Sequence, residues 1–179
     1  MTETIETLTP DASFEAVIAA TQSLLGHMQD PAADPTQLQD DIVHLLKLDK
    51  GPRGFFASLL TDERSVADDA PAFLLNALQQ VPEITAELLT KNLAMSSAMV
   101  VHHQRQQDES AIAGSQQVQQ RCVKLIGLLK LDPLKQELNA LVSSTQGSGA
   151  YTAFLQRWNY DEDQRAAIQQ IVDECLVSF

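Results

Sequence analysis

The residues best equipped for chemistry lie in one stretch, KNLAMSSAMVVHHQRQ, at Lys91–Gln106. A helix turns by about 100° per residue. On such a helix Ile84, Leu88, Leu89, Leu93, Met95, Met99 and Val100 form a wide apolar arc. Asn92, Ser96 and His103 fall near the middle of that arc. Polar groups inside an apolar face must find hydrogen-bond partners. Two expectations follow. One is a network inside a helical core. The other is a pocket where Asn92, Ser96 and His103 hold a ligand's polar atoms, with Met95 and Met99 as adaptable walls.

Metal or cofactor chemistry is not expected. His102 and His103 are adjacent, so on a helix they diverge too far to grip one ion, and no carboxylate lies three or four positions away. His44 has Asp40 and Asp41 at helical spacing, but it lies opposite the stripe of Leu38, Ile42 and Leu45. A solvated pair is the expectation there. Cys122 and Cys175 lack the spacing of a zinc site and read as buried, reduced thiols of a cytoplasmic protein. The chain has no phosphate-binding Gly-Lys-Ser/Thr loop, no dinucleotide fingerprint after a strand and no HExxH. An enzyme would need a composite site assembled from distant residues.

Two loops are further candidates. In DKGPRGFF, Lys50 and Arg53 bring positive charge while Gly51 and Gly54 free the backbone ahead of a helix start. Such a combination cradles a phosphate or carboxylate, although a Gly-Pro turn between helices needs no ligand. In TDERSVADD, Asp62, Glu63, Asp68 and Asp69 form an acidic loop suited to a basic protein partner.

These residues need a scaffold, and composition bounds it. The 179 residues are 44% hydrophobic and 20% charged, enough for one domain with a real core. No apolar run approaches the roughly 20 residues that span a bilayer. The opening MTETIETLTPD has no basic segment and predicts no secretory signal. Net charge is −12 and uneven: residues 1–90 hold fifteen acids and four bases, residues 91–179 nine and eight. Such a surface repels nucleic acid and anionic lipid.

Helical spacing recurs throughout and no stretch alternates as a strand does, so the fold class is all-α, a compact bundle of seven or eight helices. Start signals stand at Thr9-Pro10, at Asp34-Pro35 with Gln37, at Pro71, at Pro82, at Asp132-Pro133 and at Asp161 with Gln164. Stop signals stand at DKGPRG, at Gly114 and at Asn159 in the left-handed position. The pentapeptide LLKLD occurs at Leu45–Asp49 and Leu128–Asp132, and similar landmarks follow both copies. One domain over 1–179 is therefore expected, with a possible duplication relating about 35–107 to 115–179. The function expected is protein–protein interaction by a non-enzymatic adaptor, assembly or regulatory factor. A small-molecule-binding protein using Asn92, Ser96, Met99 and His103 is the alternative. Oligomeric state is not legible here.

Overall fold

Four helices begin where a side-chain oxygen turns back onto an open backbone N–H. Ser13 accepts from the Ala16 amide, Asp34 from Thr36, Asp108 from Ala111 and Asp161 from Gln164, at 3.0–3.1 Å. The computed structural model describes Ile5 and residues 8–179. Among these residues the chain is all-α, with no strand. Its helices are α1 (Phe14–His27), α2 (Pro35–Leu46), α3 (Gly51–Thr61), α4 (Ala72–Gln79), α5 (Pro82–Gln106), α6 (Glu109–Leu129), α7 (Asp132–Thr145), α8 (Thr152–Arg157) and α9 (Glu162–Leu176). A 3-10 turn stands at Ser65–Ala67. The no-signal expectation rests partly on residues 1–4, 6 and 7, which lie outside the described residues.

Several boundaries differ from the sequence expectation. Thr9 does not cap α1: its hydroxyl donates to the Asp11 carboxylate at 2.7 Å, and Ser13 takes the capping place. Gln37 closes no capping box on α2; its amide donates to Asp41 Oδ1 at 2.9 Å. α2 does stop ahead of DKGPRG, at Leu46, but most of that segment is no loop: α3 starts at Gly51 with Pro52 in its first turn, where the missing N–H costs nothing. Gly114 does not end a helix. The chain breaks earlier, at Gln107 with φ 56°, and α6 runs through Gly114. Asn159 does adopt the left-handed stop, with φ 52°, and Asp161 with Gln164 does form a capping box.

The chain divides into two compact units, residues 1–88 and 89–179, the division falling inside α5. In the first unit α1 packs along α3, α2 packs against α4, and α2 also meets α1 and α3. Val17, Leu24, Leu25, Ile42, Leu45, Phe55, Phe56, Leu59, Leu74 and Leu78 are sealed from solvent. Each such side chain contributes about 1.5–3 kcal/mol relative to exposure. Gly54 sets the approach of α3 to α1, since a Cβ there would lie 2.5 Å from Val17 Cγ1. In the second unit α7 packs on α9 and α8, and α6 meets α9. Leu134, Leu138, Leu141, Ile168 and Val172 are its sealed positions on α7 and α9.

The two LLKLD copies close their helices differently. After α2 the chain stays right-handed at Lys47, with φ −94°, whereas after α6 it turns left-handed at Lys130, with φ 45°. No helix among the described residues is long and apolar enough to cross a membrane.

Candidate functional site

A groove of about 560 Å³ opens in the first unit, lined by α1, by α3 and by the three residues that follow α3. Ile18 and Gln22 come from α1, Ala57, Ser58 and Thr61 from α3, and Asp62, Glu63 and Arg64 complete it. The sequence folds this way because Asp62 leaves α3 in an extended conformation and then holds the chain beyond it. Its Oδ1 accepts from the Arg64 amide at 2.8 Å and from Arg64 Nε at 2.6 Å, and its Oδ2 accepts from NH2 at 2.5 Å. The remaining arm of the guanidinium, NH1, donates to the Gln22 carbonyl at 3.3 Å, in the second half of α1 where the helix dipole favours a cation. The Asp62 hydrogen bonds raise the Arg64 guanidinium above its ordinary pKa. Gly26 leaves room for this crossing, since a Cβ there would stand 3.2 Å from NH1.

Two hydroxyls line the same groove. Thr61 donates to the Ala57 carbonyl at 2.7 Å, which leaves its oxygen as an acceptor. Ser58 is 6% exposed, and its Oγ has no hydrogen-bond partner. A buried polar group left in that state costs about 1–3 kcal/mol, which makes the position notable.

The acidic loop enters this site only in part. Asp62 is engaged by Arg64, with 12% of its side chain exposed, so it is not free to meet a partner. Glu63 and Asp69 are exposed and Asp68 is half-buried.

The helical seam is divided rather than gathered into one pocket lining. Ser96 is 7% exposed, and its hydroxyl donates to the Asn92 carbonyl at 2.8 Å, inside its own helix. Asn92, Met99 and His103 are half-buried. His103 Nδ1 is buried without a partner. The neighbouring residue, Ser97, makes the link between helices. Its hydroxyl donates to the Leu93 carbonyl at 2.7 Å and accepts from Gln119 Nε2 at 2.9 Å. Beside it, Gln164 Nε2 donates to the Ala98 carbonyl at 3.1 Å. Gln119 carried no signal in the sequence, being one of four glutamines in the run QQVQQR. Gln164 was visible only as a helix cap.

Lys50 and Arg53 are exposed, and the Arg53 guanidinium lies over the Phe14 ring at 5.4 Å. Gly54 is buried against Val17, so its missing side chain serves helix packing. Asp40 and His44 are exposed and border a shallow groove with Ile5, Gln37 and Asp41. No three His, Cys, Asp or Glu among the described residues are placed to hold a metal ion. Cys122 and Cys175 are buried free thiols, and burial pushes both thiol pKa values up.

A family model described as uncharacterised conserved protein UCP020893 matches residues 13–175, nearly the whole chain, and the chain belongs to that family. No curated protein matches it. No solved structure matches it.

Proposed function

We propose that this member of the family is a non-enzymatic cytoplasmic protein that works by protein–protein contact, as an adaptor, assembly or regulatory factor. Its acidic first unit is the docking surface for a basic partner. One observation carries this reading: the charge divides where the structure divides. Residues 1–88 hold fifteen acids against four bases, and residues 89–179 hold nine against eight. Asp40, Asp49, Glu63 and Glu83 are among the exposed acids of the first unit. A concentration of negative charge on one unit steers an oppositely charged protein and raises its on-rate. The buried free thiols support a reducing compartment.

The test is affinity capture from the source organism followed by association kinetics. The variant combines Asp40→Asn, Asp49→Asn and Glu83→Gln, and leaves Asp62 in place because it anchors Arg64. Association is expected to slow in the variant and with rising salt, as exposed charges are screened over a Debye length of about 8 Å. Salt-independent association, or turnover of a small molecule with no protein captured, would sink the reading. The alternative, a ligand pocket on α5, draws support from the buried and unpartnered Nδ1 of His103.

A further inference from the structure

We infer that the groove between α1 and α3 seats a lysine side chain of the basic partner, a proposal that rests on the partner-binding reading above. The lining sorts by chemistry. Ile18 and Ala57 form a half-buried apolar wall. The methylene stem of a lysine lies naturally along such a surface while its head stays polar. Around the wall stand acceptors. Thr61 has committed its proton to the Ala57 carbonyl and offers lone pairs. Glu63 is exposed and forms no ion pair among the described residues. Ser58 is buried, with a hydroxyl that no protein group satisfies.

The cation among these lining residues is already neutralised. Arg64 donates two side-chain bonds to Asp62 and one to the Gln22 carbonyl. Glu63 is therefore the unbalanced charge among the lining residues, and the local charge is negative. An ammonium group supplies three donors and a compact positive charge. A carboxylate or phosphate would instead meet Glu63 as a like charge. The first unit, with fifteen acids against four bases, draws cations towards the groove from a distance. Its volume of about 560 Å³ lies within the roughly 300–1,000 Å³ of ligand clefts, enough for a side chain and the backbone beside it.

The experiment is an amide NMR titration of the full chain with a terminally blocked Gly-Lys-Gly peptide, using blocked Gly-Gln-Gly as control. The lysine peptide should shift the amides of Ile18, Ala57, Ser58, Thr61 and Glu63 saturably, and the glutamine peptide should not. Glu63→Gln, a change to an exposed side chain, should weaken binding by roughly two- to fivefold, the scale of a solvent-screened ion pair. Ala57→Arg, which lays a tethered cation in the groove, should abolish the shifts, and its spectrum reports whether the fold is kept. Equal responses to both peptides overturn the proposal, as do shifts scattered over the acids with no effect of Glu63→Gln. The two readings fail separately. Salt-independent association removes the acidic docking surface, whereas salt-dependent association untouched by Glu63→Gln and Ala57→Arg keeps that surface and removes the groove.

Discussion

Gln164 reaches back to Ala98: its Nε2 donates to the Ala98 carbonyl at 3.1 Å across 66 positions of sequence. The same amide accepts, through Oε1, from the Asp161 N–H at 3.1 Å, so one side chain caps α9 and ties it to α5. Arg105 reinforces the tie by binding Asp161 and Asp163, each at 2.5 Å. These ion pairs are exposed and count for little. The amide is 9% exposed and counts for more.

Gln164→Ala should therefore destabilise the protein by about 1–2 kcal/mol, two neutral hydrogen bonds' worth. Gln164→Glu loses the donor and sets a nearly buried carboxylate against the Ala98 carbonyl oxygen, so it should be the weakest of the three. Urea denaturation of the three proteins measures the order. A Gln164→Glu protein as stable as the unaltered chain would show that the bond to Ala98 contributes little.

Glycine substitutions separate packing from helix propensity. Gly54→Ala places a methyl 2.5 Å from Val17 Cγ1 and should cost about 1–3 kcal/mol by overpacking. At Gly114 a Cβ meets nothing within 4 Å, and the residue lies inside α6. Gly114→Ala should stabilise by about 1 kcal/mol. Thermal unfolding of both variants gives the signs, and a destabilised Gly114→Ala would mean that the helix does not run through this position.

Ser58→Ala removes a hydroxyl that is buried without a partner. The free protein should become more stable, by up to about 1 kcal/mol, because the desolvated group is gone and almost no volume is lost. The lysine peptide should bind this variant more weakly. A loss of stability would mean that the hydroxyl is bonded in solution.

Alkaline pH should weaken the fold. Burial pushes the Cys175 thiol up to about 11 and the Tyr160 phenol up to about 12, and it raises the Cys122 thiol as well. Each group is thus held neutral in the folded state and ionises more readily once unfolded. Their contribution is intact below the unfolded thiol pKa of about 8.5, and it is lost as pH rises through that value towards the folded ones. Urea midpoints near neutrality and above about pH 10 should differ in that sense. Cys122→Ala with Cys175→Ala should flatten the dependence. Disulfide-exchange reagents should react slowly with the native thiols and fast with the unfolded chain.

What the sequence determined by itself was local. The stripe of apolar residues every three or four positions requires helices, because only that period gives each segment one face to bury. Asp34, Asn159 and the pair Asp161 with Gln164 mark helix ends, because a cap involves residues only a few positions apart. The uneven charge was also legible, being a property of composition. What the tertiary structure alone decided is where distant segments meet. Arg64 finds the Gln22 carbonyl across 42 positions, and Ser97 rather than Ser96 receives Gln119. Periodicity places both serines near the apolar arc, and only the direction from which α6 approaches distinguishes them. Gly54 reads as a flexible loop residue until Val17 is brought against it. The groove depends on the same long-range geometry, since its walls belong to α1 and α3 while its charge is set by a loop folded back between them.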